Sequence, residues 1–138
     1  MKSFLYWILR IGLGGLMFLA GVGKLLDLQG FVSVMETYRL GLPISLLWLI
    51  SISIVVVELV LGFCILIGYR FQKAIYGSII LNGLYALLLL ATLIRGIHLV
   101  NCGCFGVFHA RPLTWVSAIE DGLMIVFSLI LLRLEKSR

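Results

Sequence analysis

Charged side chains are scarce in this sequence, and their scarcity excludes most classes of protein. Only 12% of the 138 residues are Asp, Glu, Lys or Arg, while 62% are hydrophobic. A soluble domain carries roughly 25% charged residues, so an ordinary globular protein and a solvated disordered chain are both excluded. The 2 prolines and 15 glycines follow no repeat, which excludes a collagen-like chain. The remaining class is an integral membrane protein.

Long hydrophobic runs are present instead, and there are four of them. A bilayer core of about 30 Å requires roughly 20 apolar residues per helix. Lys24 and Asp27 stand where a signal peptide would have its small-residue cleavage site, so the first run is predicted to be retained as a helix. The predicted fold is an all-α integral membrane protein, a four-transmembrane-helix bundle. Its single membrane domain covers residues 1–138, with spans over about 4–26, 44–68, 74–94 and 115–134.

The basic residues predict the orientation of this bundle. Four spans place both termini on one face, where seven Lys and Arg residues fall, against four in the connections on the other face. The positive-inside rule then predicts that both termini are cytoplasmic and that the loop 95–114 lies on the outer face. The net charge of +5 does not indicate nucleic-acid binding, because no cluster of Lys and Arg is interleaved with aromatic residues.

The connection between the first two spans repeats apolar residues at a spacing of three to four. Phe31, Val34, Met35 and Tyr38 share one face, and charged residues lie on another. This pattern is typical of a short amphipathic helix in the membrane interface. A plain connector with incidental periodicity stays open as the alternative.

Small and polar residues form one stripe on each span. Lipid supplies no hydrophobic drive between helices, so such stripes predict a bundle with a polar interior. Counting about 1.5 Å per residue from the inner ends places Arg10, Glu58 and Asn82 at similar depths, which predicts one buried polar cluster. Two interpretations stay open: a structural ion pair that holds the bundle together, or a proton route or part of a quinone site.

A second group of charges lies near the outer ends of the spans. Glu120 and Asp121 are predicted to lie close beneath the outer loop, at the level of Lys24. One carboxylate could exchange protons with a thiol above it, and Lys24 or Arg111 could favour a thiolate. The alternative is that Lys24 simply neutralises one acid.

Cysteine is rare, but two of the three cysteines stand one residue apart in the outer loop. Disulfides persist on that side of a membrane, and a bond between Cys102 and Cys104 would close a very small ring through Gly103. Strained, exposed disulfides exchange most readily, so the motif predicts a reversible redox pair. Two alternatives stay open: a Cu(I) or Zn(II) site completed by His98 and His109, or cysteines without a redox role.

Several of these residues together resemble a known family. They are Arg10 with Gly12, Gly21-x2-Lys24, Phe31, Tyr38, Pro43, Glu58-x3-Gly62 and Cys102-Gly103-Cys104-Phe105-Gly106. The pattern resembles the MauE branch of the DoxX-like four-helix membrane proteins, and the Cys-Gly-Cys-Phe-Gly motif after the third span is its specific part. The resemblance implies a protein that assists the maturation of exported redox enzymes, alongside a thioredoxin-like partner that handles disulfides.

The main hypothesis is a membrane thiol–disulfide oxidoreductase, or its accessory. In it, Cys102 and Cys104 exchange a disulfide with a thioredoxin-fold partner outside the membrane. A membrane quinone as electron donor or acceptor is suggested only by analogy with other four-helix disulfide-generating proteins. The alternatives are a non-enzymatic scaffold or chaperone for enzyme maturation and a Cys/His metal-handling module. A homodimer also stays open.

Overall fold

The structure is a computed structural model that describes residues 1–104 and 112–137. These residues form five helices and contain no strand: α1 (Lys2–Leu26), α2 (Leu28–Thr37), α3 (Ile44–Ile67), α4 (Phe71–Ile94) and α5 (Trp115–Lys136). All of these helices except α2 are long and apolar enough to cross a membrane. The predicted all-α fold with four spanning helices is therefore confirmed.

The helix ends follow local signals in the sequence. α3 begins directly after Pro43, whose backbone is extended, and ends at Gly68, where a φ of 81° terminates the helix. α4 begins at Phe71, before the predicted start, because the exposed residues Gln72 and Lys73 extend the helix beyond its apolar part. Hydropathy therefore predicts the positions of the spans, but it does not detect the polar first turn of α4.

The predicted amphipathic segment between the first two spans is a helix. The Asp27 side chain caps α2 by accepting a hydrogen bond of 2.9 Å from the backbone N–H of Gly30. One face of α2 packs against the first half of α3. The buried residues of this face are Phe31, Val32 and Met35.

The four long helices form an antiparallel bundle. α1 packs most extensively against α3, and α4 against α5, while contacts between α3 and α4 and between α1 and α5 close the bundle. Both chain termini lie at one end, which we call the terminal end. The opposite end holds Cys102 and Cys104, and we call it the cysteine end.

Close glycine contacts set the axial register of α1 against α3. A Cβ atom added to Gly62 would lie 2.6 Å from the backbone nitrogen of Phe18 and 2.9 Å from the carbonyl oxygen of Gly14. Gly21 in turn lies against Leu59. In this register α1 ends about ten residues short of the start of α3, or roughly 15 Å. The recess is filled by α2 and by the segment that carries the cysteines.

Candidate functional site

The cysteine pair lies inside the cysteine end of the bundle. Cys102 is 4% exposed and Cys104 is half-buried. Cys102 packs in an apolar cluster with Tyr38, Leu89 and Leu113. Leu89 precedes the end of α4 by five residues, which places this cluster roughly 8 Å below that end. The expectation of an exposed pair is wrong for Cys102, because the chain after α4 folds back into the recess left where α1 ends short of the start of α3.

Tyr38 and α2 hold the cysteine motif in place. The Tyr38 hydroxyl donates a hydrogen bond of 2.6 Å to the carbonyl oxygen of Cys102. Burial raises the pKa of Tyr38, so the phenol stays protonated and remains a donor. Gly103 has a φ of 75°, and a Cβ atom there would lie 2.9 Å from Val34 of α2. Glycine is therefore required by both its backbone conformation and the close approach of α2.

α2 and Tyr38 form a cover over the cysteine motif, and further hydrogen bonds attach this cover to the end of α4. The Arg95 guanidinium donates to the carbonyl oxygens of Tyr38 and Arg39, each at 3.1 Å. The backbone N–H of Gly103 donates to the Asn101 side-chain oxygen at 2.9 Å. These contacts hold Cys102 in a buried position.

A buried ion pair lies beside the motif. Lys24 Nζ is 2.7 Å from each carboxylate oxygen of Glu58, and the two side chains are 1% and 4% exposed. The Tyr85 hydroxyl donates to Glu58 Oε1 at 2.7 Å and lies 3.3 Å from Lys24 Nζ. The ammonium also lies 5.5 Å from the ring centroid of Phe31 and 5.1 Å from that of Tyr85. One polar group from each of α1, α3 and α4 thus forms a single network.

Two cavities lie between this network and the cysteines. The smaller, of about 20 Å³, is bordered by Lys24, Tyr85 and both cysteines. The larger, of about 40 Å³, has room for water. Cys104 and Tyr85 border both cavities, so they join the two halves of the site. The polar residues around the larger cavity are Glu58, Asn82, Tyr85, Cys104, Ser117, Glu120 and Asp121.

The surroundings of Cys104 act on its thiol in opposite directions. A hydrogen bond with Cys102 and burial raise the pKa of the Cys104 thiol, and the charge of Asp121 acts in the same sense. Lys24 acts to lower that pKa. A thiolate at this position therefore needs a nearby cation and an acceptor for its proton.

Comparison with known proteins assigns the family. A family model described as methylamine utilisation protein MauE matches residues 2–134. The chain belongs to the MauE family. The resemblance drawn from the motif is thereby confirmed. Neither the curated proteins nor the solved structures contain a match to this chain.

In this MauE-family protein, the predicted cluster of Arg10, Glu58 and Asn82 is only partly assembled. Glu58 and Asn82 border the larger cavity. Arg10 instead donates to two carbonyl oxygens in the last turn of α3, at 2.8 and 2.9 Å. Along α1, Arg10 lies roughly 21 Å from Lys24, the residue that pairs with Glu58. Arg10 is therefore outside the cluster, because the stagger of α1 sets it level with the end of α3.

The outer charges of this MauE-family protein are placed near the cysteines. Glu120 and Asp121 border the larger cavity together with Cys104. Lys24 forms its ion pair with Glu58 on α3. The depths estimated from the sequence instead predict that Glu58 lies with Arg10. Arg111, the other predicted cation, lies outside the described residues.

The alternative metal site gains no support from the described part of the chain. His98 is exposed, and within residues 1–104 and 112–137 no three His, Cys, Asp or Glu side chains are placed to hold a metal ion. His109 lies outside the described residues. Cys64 is half-buried and packs against the apolar core at the terminal end, as a packing residue does.

Pattern reasoning missed two tyrosines in the site of this MauE-family protein. Tyr85 follows Ser78 and Asn82 on the polar stripe of α4, and Tyr38 lies on the apolar face that continues from α2. A buried tyrosine hydroxyl usually finds a hydrogen-bond partner. That requirement is the signal that singles out both residues, because Tyr85 stands on the stripe predicted to face the bundle interior and Tyr38 on the apolar face of the predicted interfacial helix.

Proposed function

We propose that this protein is a membrane thiol–disulfide exchange protein that assists the maturation of an exported redox enzyme. Membership of the MauE family indicates a membrane protein in methylamine dehydrogenase maturation. The observation that carries the exchange chemistry is a pair of free cysteines, one residue apart, that border one cavity together with the buried Lys24 ammonium. Exchange requires two close sulfurs and a means of forming a thiolate, and these residues supply both.

The proposed partner is a thioredoxin-fold protein on the extracytoplasmic side of a bacterial cytoplasmic membrane. The seven basic residues on the face of the termini, against four on the other, support this orientation of the cysteine end. A disulfide carried by either protein would persist in that compartment.

The exchange balances without another redox reagent. The thiolate of Cys104, the less buried cysteine, attacks one sulfur of the partner disulfide. A Cys104–partner bond forms, the partner S–S bond breaks, and the second partner sulfur leaves and takes up a proton. Cys102 then loses its proton and attacks the Cys104 sulfur, so that the Cys102–Cys104 disulfide forms and the first partner sulfur leaves as a thiol. Two electrons pass to the partner, and the reverse sequence oxidises a partner dithiol.

Access to the cysteines is part of the proposal. Cys104 is half-buried, and Cys102 lies beneath Tyr38 and α2. The partner therefore docks at the cysteine end and displaces part of this cover before the second step. The hydrogen bonds of Tyr38 and Arg95 are the contacts that such a movement breaks.

A membrane quinone is not assigned a step. Cavities that hold organic ligands have volumes of roughly 300–1,000 Å³. The cavities beside the cysteines measure about 40 and 20 Å³, which suits water and does not fit a quinone ring. No step of the proposed exchange is therefore assigned to a quinone at these two cavities.

Trapping of the mixed disulfide tests the proposed function. Cys102→Ala leaves the attacking cysteine without its resolving cysteine, so it is expected to accumulate a reductant-sensitive complex with an extracytoplasmic thioredoxin-fold protein. Cys104→Ala is the matched control and is expected to trap far less. Normal maturation of the client enzyme in the double variant Cys102→Ala/Cys104→Ala would contradict exchange and favour a non-enzymatic scaffold.

A further inference from the structure

The two members of the buried ion pair border different cavities. Lys24 borders the smaller cavity, together with both cysteines, and does not border the larger one. Glu58 borders the larger cavity, together with Cys104, and does not border the smaller one. Cys104 thus shares the smaller cavity with the Lys24 ammonium and the larger cavity, which can hold water, with the Glu58 carboxylate.

A buried ion pair of this kind has no evident need in a packed bundle. Replacing a buried pair with apolar residues of similar volume is often neutral or stabilising, because desolvation of the two charges offsets their attraction. Ionisable groups within a membrane span commonly mark functional sites. The Lys24–Glu58 pair is almost fully buried and meets Tyr85 from a third helix.

The Lys24–Glu58 pair can allow Cys104 to become a thiolate without a change in the net charge of the site. Forming a thiolate in a low-dielectric interior is costly when it creates a new charge. The cost falls when the thiol proton neutralises an existing anion and the cation of that anion becomes the counter-ion of the thiolate. The arrangement of Lys24 and Glu58 around Cys104 meets both conditions.

We propose that Lys24, Glu58 and Tyr85 form a proton relay that activates Cys104 without changing the net charge of the site. The Cys104 thiol proton passes through water in the larger cavity to the Glu58 carboxylate. Cys104 becomes a thiolate, Glu58 becomes a neutral acid, and the Lys24 ammonium changes its counter-ion from carboxylate to thiolate. Tyr85 keeps Glu58 in position through its hydrogen bond of 2.7 Å. This inference rests on the proposed exchange function and names the groups that would drive its first step.

Other titratable groups also face Cys104, and one of them is an alternative proton acceptor to Glu58. They are Cys102 on the same segment, Tyr38 after α2, Tyr85 on α4, and Glu120 and Asp121 on α5. Asp121 is the competing proton acceptor. A proton moved to Asp121 would leave Lys24 bound to Glu58 and the thiolate without a counter-ion. The relay therefore runs to Glu58, and the negative charge of Asp121 opposes it.

Alkylation of Cys104 tests the relay in the full-length protein in detergent. The background is Cys64→Ala/Cys102→Ala, which leaves one thiol, and the probe is iodoacetamide over a range of pH. Glu58→Gln resembles the state after proton transfer and releases Lys24 toward the thiolate, so alkylation at pH 7 is expected to accelerate about tenfold. Lys24→Met removes the counter-ion, so alkylation is expected to slow about tenfold. Asp121→Asn is expected to accelerate it, because a nearby negative charge is lost.

Opposite signs follow from the charges of Lys24 and Glu58 alone, so the pH dependence separates the relay from a pair that acts only by charge or packing. Transfer from Cys104 to Glu58 leaves the net protonation of the site unchanged, so the background variant is expected to keep a pH-independent alkylation rate below the pH at which its thiol titrates, and Glu58→Gln is expected to lose that plateau. The double variant Lys24→Met/Glu58→Gln keeps the comparison valid if Lys24→Met unfolds, because no buried carboxylate is left unpaired. It is expected to react more slowly than Glu58→Gln alone by about tenfold. Equal rates in these two variants, a plateau that Glu58→Gln keeps, or an effect of the same sign for Glu58→Gln and Lys24→Met, would overturn the relay.

This measurement needs no partner, so it separates the relay from the proposed function. A failed trapping experiment with a plateau that Glu58→Gln loses would refute exchange and leave the relay as a device that sets thiol reactivity. Successful trapping with a plateau that Glu58→Gln keeps would keep exchange and refute the relay.

Discussion

Each end of the bundle binds one cation of α1, and the two cations are bound in different ways. At the terminal end, the partly exposed Arg10 donates to carbonyl oxygens in the last turn of α3 and lies 4.8 Å from the ring centroid of Trp7. At the cysteine end, the buried Lys24 is bound by the Glu58 carboxylate and the Tyr85 hydroxyl. Carbonyl groups at a helix end cannot accept a proton at physiological pH, whereas a carboxylate can.

This difference bears on the proposed role of Lys24, because only the group that binds Lys24 can accept a proton. The interior around Arg10 is apolar, with Tyr6, Leu13 and Phe71 among its buried residues. The interior around Lys24 contains the two cavities, the acids of α5 and the cysteine pair. A cation within a predicted span is therefore weak evidence of function by itself, and the groups that bind it decide its role.

The largest expected effect comes from the cysteines at the two ends. Cys104→Ser is expected to abolish disulfide exchange with the partner, because no attacking sulfur remains. Cys64→Ser is the matched control from the terminal half and is expected to leave exchange intact. The redox state of the partner in cells expressing each variant measures the effect. A loss of exchange in Cys64→Ser equal to that in Cys104→Ser would place the chemistry outside the proposed site.

The second largest expected effect is a difference in the free energy of unfolding between variants of Lys24 and of Arg10. Lys24→Met leaves the buried Glu58 carboxylate unpaired and is expected to destabilise the protein by about 3–5 kcal/mol. Arg10→Met removes hydrogen bonds from a partly exposed helix end, and the expected cost is about 1–3 kcal/mol. Denaturant unfolding in detergent compares the two variants. A larger loss in Arg10→Met would show that the terminal end depends more on its cation than the cysteine end does.

The glycine contact between α1 and α3 links the two ends, because it sets the register that pairs Lys24 with Glu58. A Cβ atom at Gly62 would lie 2.6 Å from the Phe18 backbone nitrogen, whereas one at Gly12 would meet nothing within 4 Å. Gly62→Ala is expected to destabilise the bundle by about 1–3 kcal/mol through overpacking.

Gly12→Ala is the control for this register prediction. It is expected to be neutral or slightly stabilising, because alanine is the better helix former. Thermal unfolding and the alkylation rate of Cys104 follow the two changes. An unchanged protein after Gly62→Ala would show that the register is set by other contacts.

The smallest effect concerns the cover over the cysteines. Tyr38→Phe removes the hydrogen bond to the Cys102 carbonyl, which contributes about 1 kcal/mol. Opening of the cover is therefore expected to rise about fivefold, with a matching rise in the alkylation rate of Cys102 in a variant without Cys64 and Cys104. Tyr76→Phe, an exposed change in the terminal half of α4, is the control. Equal rates in both variants would show that Tyr38 does not restrain the cysteine segment.

Hydropathy and short motifs predicted much of this molecule. Runs of apolar residues predicted the four spanning helices, and Pro43 gave the start of α3. The spacing of apolar residues predicted α2 as one of two alternatives, and the Cys-Gly-Cys motif identified the family. These features depend on neighbouring residues along the chain, so a single sequence contains enough information to predict them.

The partner of Lys24 and the burial of the cysteines were decided by tertiary structure. Lipid-facing residues are apolar along the whole length of a span, so hydropathy contains no information on how far one helix slides past another. Close contacts between Gly14, Gly62 and Phe18 fix the axial offset between α1 and α3. This offset places Lys24 beside Glu58, and it places Arg10 at the end of α3.

The same axial offset between α1 and α3 forms the recess that encloses the cysteines. α1 ends roughly 15 Å short of the start of α3, and α2 and the cysteine segment pack into the resulting space. The sequence by itself determined the helices, the Cys-Gly-Cys motif and the family. The tertiary structure decided which charges meet the thiols, because that depends on the axial register of whole helices and on how the chain folds back between them.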